Sequence, residues 1–205
     1  MNTKNITVAA IALTAIAGAA SGQIELTNNG GFESGDLSGW TSFPGPTSTF
    51  LLTGDASDGS FAAEIFNNDP AINALVKQAN IGVGVVQPGD EVTISFDAKG
   101  QGAAGGIVFA EFFSELSGGG TSSAEILGGA PLALDPNNYT SFSFTATAGP
   151  DVSGGVTFQI GAVTGGDPAS TSVLIFDNVS VSIIPAPGAL AVLGLGGVAA
   201  IRRRR

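Results

Sequence analysis

The chain has 205 residues, of which 17 are acidic and 7 are basic, so its net charge at pH 7 is −10. Cysteine and histidine are absent, which excludes disulfides, thiolate metal sites, zinc chemistry and Ser-His-Asp catalysis. Between the terminal segments only Lys77 and Lys99 are basic, and this part of the chain carries a charge of −15. Such a surface repels phosphates, so we expect no nucleic-acid partner.

Residues 1–22 have the character of a secretory signal peptide. Lys4 is followed by an apolar run, Ile6 to Ala17, and then by small residues. This order of charge, apolar core and small residues is typical of a segment that a signal peptidase removes, here after Ala19 or Gly22. The alternative is a buried N-terminal helix.

Residues 23–184 are predicted to form one all-β domain, an antiparallel β-sandwich. Short runs rich in Val, Ile, Phe and Thr alternate with turn residues, and no helix-length amphipathic segment interrupts them. Two Gly- and Ser-rich segments, 100–106 and 117–129, are predicted surface loops. The predicted strands are Ser48–Thr53, Phe61–Asn67, Ala74–Ile81, Glu91–Ala98, Ile107–Ser114, Tyr139–Thr147, Gly155–Gly161 and Ser172–Ile184.

Alternation of apolar and polar residues predicts which side chains face the core. It is clearest for the residues Val92, Ile94 and Phe96 and for Val156, Phe158 and Ile160. In the last strand, one parity contains Val173, Ile175, Asp177, Val179, Val181 and Ile183. We therefore expect Asp177 to point inward.

A buried carboxylate requires a partner, because burying an unpaired charge costs too much free energy. Residues 23–184 contain no arginine, so a calcium ion is the leading candidate partner of Asp177. The alternatives are backbone donors, as in a capped turn, or one of the lysines, Lys77 or Lys99.

The start of the domain, Asn28 to Trp40, has the sequence NNGGFESGDLSGW. It resembles the opening of galactose-binding-like jelly-roll domains, which include carbohydrate-binding modules, and Asp177-Asn178-Val179 is similar to their last strand. This resemblance implies a jelly roll with a structural calcium ion held by Glu33 and Asp177. A solvated Glu33 in a plain loop is the alternative.

The C-terminal segment, residues 185–205, contains Pro185 and Pro187, an apolar run from Ala189 to Ile201, and a basic tail formed by Arg202, Arg203, Arg204 and Arg205. It resembles the PEP-CTERM sorting signal of Gram-negative bacteria, with Ala186 in place of the motif's Glu. The resemblance implies an exosortase-type processing enzyme as a partner and transient anchoring in the inner membrane. It also implies export to the cell surface or extracellular matrix.

A short hydrophobic helix is predicted within this C-terminal segment. Fourteen helical residues from Gly188 would span about 21 Å, less than the roughly 30 Å hydrocarbon core of a bilayer. The arginines would stay cytoplasmic and leave the acidic domain outside. A plain stop-transfer anchor is the alternative to a sorting signal.

The resemblance implies a non-catalytic, carbohydrate-binding-like domain whose partner is a polysaccharide or exopolysaccharide matrix. Phe112, Phe113 and Tyr139 are the candidate ligand-binding residues, and packing in the core or at its rim is the alternative for these three. Trp40 is expected to pack beneath the opening loop. Two alternatives remain: a structural matrix protein without a small ligand, or a glycoside-acting enzyme, which needs only two suitably spaced carboxylates. Exposed aromatic residues on one sheet face would favour binding, and a Ser/Thr face would favour the structural role.

Overall fold

The computed structural model describes residues 22–184. The predicted signal peptide, apart from Gly22, and the predicted sorting signal lie outside the described residues. The described part contains a short 3-10 turn, Leu127–Gly129, and strands β1 to β11. In chain order these strands are Ile24–Glu25, Thr41–Phe43, Thr49–Thr53, Ala62–Asn67, Asn73–Ile81, Glu91–Ala103, Ile107–Glu115, Thr121–Ile126, Thr140–Thr147, Val156–Val163 and Thr171–Ile183.

The strands form two sheets with antiparallel pairing throughout. The first sheet has the order β3-β4-β11-β6-β9, and β1 also pairs with β11. The second sheet has the order β2-β5-β10-β7-β8. This arrangement confirms the predicted all-β antiparallel sandwich. Among the described residues, no helix is long and apolar enough to cross a membrane.

All eight predicted strands are present, with ends that differ by a few residues. The structure adds three strands that the sequence pattern did not indicate: β1, β2 and β8. Strand β8 lies inside the predicted loop 117–129, and β6 continues to Ala103 inside the predicted loop 100–106. These short polar segments lack apolar alternation and are strands because a neighbouring strand pairs with them.

The core lies between the two sheets. All six residues predicted to face it from β6 and β10 are at most 2% exposed. Trp40 is also buried, and its ring packs 5.6 Å from that of Phe32 and 5.5 Å from that of Phe176. Its indole N–H donates to the carbonyl of Asn29. The predicted packing role of Trp40 is therefore confirmed.

The predicted orientation of the first half of β11 is wrong. Leu174 and Phe176 are fully buried in the core, while Val173 and Ile175 lie on the outer face of the first sheet. Asp177 shares this outer face, opposite Asp97 of β6.

A β-bulge at Asn178 explains the change of parity. The register with β6 shifts between Asp177 and Ser180, and Asn178 has a φ of 51°. Beyond this bulge the parity is the predicted one, and Val179, Val181 and Ile183 face the core. One extra residue reverses every later side chain, so simple alternation could not be extrapolated through it.

Candidate functional site

Asp177 is fully buried although it lies on the outer face of the first sheet, because residues 54–60, the covering loop, lie over it. Its Oδ2 accepts the N–H groups of Ser57 and Asp58 at 3.0 and 3.2 Å, and the Ser57 hydroxyl, whose one proton it shares with Asp97, lies 3.2 Å away. Its Oδ1 accepts the N–H of Asn178 at 2.7 Å. Backbone and hydroxyl donors thus satisfy this buried carboxylate.

Glu33 holds the far end of the covering loop. Its Oε1 accepts the N–H groups of Ser60 and Phe61, each at 2.9 Å. Gly59 has a φ of 69°, and a Cβ there would lie 2.5 Å from the Glu33 carboxyl carbon. Only glycine fits this position without displacing the carboxylate. The structure therefore brings Glu33 and Asp177 to one loop.

Hydrogen-bond donors already occupy the oxygens of these two carboxylates that a cation would need. The engaged oxygens face N–H and O–H groups, and a calcium ion would have to replace several of these donors. Within residues 22–184, no group of three or more acidic side chains could hold a metal ion. Calcium binding by Glu33 and Asp177 stays a prediction.

Asp97 lies beside Asp177 and shares its partners. Its carboxylate accepts the Ser141 hydroxyl at 2.5 Å, the Ser57 hydroxyl at 2.9 Å and the Asn178 amide at 3.0 Å. Burial alone would raise the pKa of Asp97, but these three hydrogen bonds outweigh it and hold the pKa below its usual value. The two aspartates therefore bind the covering loop together.

Tyr139 is hydrogen-bonded to the covering loop at Asp55. Its hydroxyl donates to the carbonyl of Asp55, and the Lys99 ammonium lies 4.8 Å from its ring centroid. Lys99 forms a salt bridge with Asp55 at 2.6 Å. Burial, and then the charge of Asp55, raise the pKa of the Tyr139 phenol. The predicted ligand-binding residue Tyr139 thus contacts the covering loop.

The two neighbouring phenylalanines of β7 point in opposite directions. Phe112 is 1% exposed and faces the core, so it is not accessible to a surface ligand, contrary to the prediction. Phe113 is half-buried on the outer face of the second sheet. Phe113 and Tyr139 therefore lie on opposite sides of the sandwich and do not form one site.

A groove of about 330 Å³ lies on the outer face of the second sheet. Its floor is at Gly161, where a Cβ would come within 2.5 Å of the Leu75 side chain. The Nε2 of Gln159 donates to Glu111 Oε2 at 2.6 Å across this face. The groove is lined by Asn73, Leu75, Phe109, Glu111, Ile126, Gln159, Gly161 and Val163.

Strand β7 supplies a stripe of outward side chains, two of which line this groove. Val108, Ala110 and Phe112 are buried, so Phe109, Glu111 and Phe113 share the outer face. We call these last three the β7 stripe. Phe109 and Glu111 were not among the predicted ligand-binding residues. The alternation within IVFAEFFSE does indicate that they share a face with Phe113.

No family model matches the chain, and the comparison with curated proteins gives no match. Solved structures of similar fold include the CBM22-1 xylan-binding domain of Paenibacillus barcinonensis Xyn10C. It is 16% identical, with a TM-score of 0.59, over 82% of this chain and 99% of that one.

Two further structures have similar folds. The C-terminal family 22 carbohydrate-binding module of Clostridium thermocellum Xyn10B is 18% identical, with a TM-score of 0.55, over 76% of this chain and 94% of that one. The Stig cyclase Fisc of Fischerella sp. TAU is 17% identical, with a TM-score of 0.58, over 80% of this chain and 100% of that one. Since a binding module and a cyclase both match, this likeness shows the fold, a jelly-roll β-sandwich, and does not by itself assign an activity.

Proposed function

We propose that this protein is a non-catalytic carbohydrate-binding protein whose ligand lies in the groove of the second sheet. The observation that carries the proposal is the β7 stripe, in which Phe109 and Glu111 line the groove and Phe113 follows them on the same outer face. Aromatic faces stack on sugar rings, and a carboxylate hydrogen-bonded to an amide can accept hydrogen bonds from hydroxyls. The xylan-binding domain of similar fold supports this reading.

The groove favours binding over catalysis. Hydrolysis of a glycosidic bond ordinarily uses two carboxyl groups placed on either side of the bond. Among the described residues that line the groove, Glu111 is the one carboxylate, and Gln159 already donates to it. This arrangement suits recognition of hydroxyl groups.

A glycan array and affinity electrophoresis with neutral and acidic polysaccharides test the proposal. The variants Phe109→Ala and Glu111→Gln should each weaken binding about tenfold, equivalent to about 1.4 kcal/mol. Glu64→Gln is the matched control, since Glu64 is equally half-buried on the outer face of the first sheet. If all three variants lost affinity equally, or if none lost affinity, the result would contradict ligand binding in the groove.

The second candidate function is a structural role in an exopolysaccharide or biofilm matrix, without a small ligand. It is favoured by the outer face of the first sheet, where β6, β9 and β11 align hydroxyl side chains in register. These residues are Thr93, Ser95, Ser143, Thr145, Ser180 and Ser182. Failure to bind any polysaccharide, with the fold intact, would support this second role.

The destination that we propose is the cell surface or extracellular matrix of a Gram-negative bacterium. It rests on the two terminal segments and on their order of charge. An exosortase-type enzyme would process the chain after transient anchoring in the inner membrane. Intact-mass analysis of surface-extracted protein tests this, and a chain that retains Arg202 to Arg205 would contradict the processing step.

A further inference from the structure

Lys77 lies at the rim of the proposed binding groove. It is half-buried on β5, on the outer face of the second sheet, and its register partner across the sheet is Gln159. Gln159 in turn pairs with Glu111, to which it donates a hydrogen bond. Three neighbouring strands therefore present a cation, an amide and a carboxylate in one row across the face.

The ammonium of Lys77 has no carboxylate partner within the described residues. The one salt bridge of residues 22–184 joins the other lysine, Lys99, to Asp55. Lys77 Nζ instead lies 5.1 Å from the ring centroid of Phe43, which is 48% exposed and pairs with Leu75 of the groove. A cation–π contact therefore holds the charge at the rim and leaves its hydrogen-bond donors available.

We propose that the groove selects acidic saccharides, with Lys77 pairing with the carboxylate of a uronic acid residue. This inference rests on the proposed carbohydrate-binding function. The domain carries 17 acidic residues and only two lysines, so general electrostatic attraction cannot bring an anionic polymer to it. Selectivity for an acidic sugar would have to come from a local contact, and Lys77 is the cation beside the groove.

The test measures affinity for two matched pairs of polymers by isothermal titration with the purified protein. One pair is polygalacturonate and its methyl-esterified form, and the other is glucuronoxylan and its carboxyl-reduced form. Within at least one pair, the acidic polymer should bind about tenfold more tightly, since hydrogen bonds to charged groups contribute about 1.5–3 kcal/mol. Lys77→Gln should remove this preference and leave the affinity for the neutral polymer within about twofold.

Lys77→Arg keeps the charge and is the matched control, which should preserve the preference. Unchanged emission of the single tryptophan, Trp40, shows that each variant is folded. Equal affinity for the acidic and neutral members of both pairs would overturn the role of Lys77 and leave the proposed carbohydrate binding intact. A preference that survives Lys77→Gln would also overturn it. Binding to none of the four polymers would overturn the selectivity for acidic saccharides, and carbohydrate binding as a whole would be overturned only if the glycan array also showed no binding.

Discussion

Glu33 and Asp177, from opposite ends of the domain, hold the same loop by its backbone. Glu33 accepts the N–H groups of Ser60 and Phe61, and Asp177 accepts those of Ser57 and Asp58. The loop in turn buries Asp177 completely. The first and last parts of the chain are therefore joined through a third segment, in addition to the pairing of β1 with β11.

Asp177→Asn should destabilise the domain by about 2 kcal/mol or more, because an amide N–H₂ would face buried N–H donors and leave them unsatisfied. Urea unfolding followed by Trp40 fluorescence measures the change in the free energy of unfolding. Asp97→Asn is the matched control in the same cluster, where the carboxylate is less buried and a smaller loss is expected. Equal and small losses of unfolding free energy in both variants would contradict the role of Asp177 in holding the covering loop.

A double-mutant cycle should show that the contributions of Glu33 and Asp177 to the free energy of unfolding are coupled. Glu33→Ala removes the acceptor at one end of the covering loop and Asp177→Asn weakens the hold at the other, so the second substitution should cost less once the first is present. The expected coupling is about 0.5–3 kcal/mol in the free energy of unfolding. Strict additivity would mean that the two ends of the loop are held independently.

The melting temperature tests whether Glu33 and Asp177 bind a calcium ion. If Glu33 and Asp177 bind an ion, calcium at about 100 times its dissociation constant should stabilise the fold by about 2.7 kcal/mol, and chelation should reverse the effect. Asp177→Asn should abolish most of this sensitivity, and magnesium should substitute poorly because it prefers a tighter shell. Identical melting temperatures in chelator and in millimolar calcium would leave the backbone donors as the partners of both carboxylates.

Acid should destabilise the fold through Asp97. Its pKa is lower in the folded protein than its usual value of 3.8, so its hydrogen bonds contribute stability above that value. This contribution should be lost as the pH falls from about 5 through 3.8 to below the folded pKa. Urea unfolding at a series of pH values measures the slope, which should be shallower in Asp97→Asn. An unchanged slope in that variant would assign the acid sensitivity to other carboxyl groups.

The single tyrosine offers a direct spectroscopic test. Burial and the Asp55 charge raise the pKa of Tyr139 above its usual value of 10.0, so its ultraviolet titration should have a midpoint above that value in the folded protein. In denaturant the midpoint should return to about 10. Tyr139→Phe should cost about 1 kcal/mol, because it removes the hydrogen bond to Asp55 and keeps the ring over Lys99. A normal midpoint in the folded state would place the phenol in solvent.

The sequence by itself determined the all-β class, the eight main strands, the core faces of β6 and β10 and the packing of Trp40. The first three features depend on alternation and turn residues, which act over a few positions of the chain, whereas the packing of Trp40 is expected from the resemblance of the opening loop and from the high mean burial of tryptophan. The same local pattern indicates that Phe113 points away from the core when Phe112 points into it.

Tertiary structure decided the features that depend on pairing between distant strands. The bulge at Asn178 moves Asp177 from the expected core face to the outer face, and only the register with β6 reveals it. The row of Lys77, Gln159 and Glu111 comes from three strands that are adjacent only in the folded sheet. Because bulges and registers depend on long-range contacts, alternation within one strand could not predict the placement of Asp177 or this row of side chains.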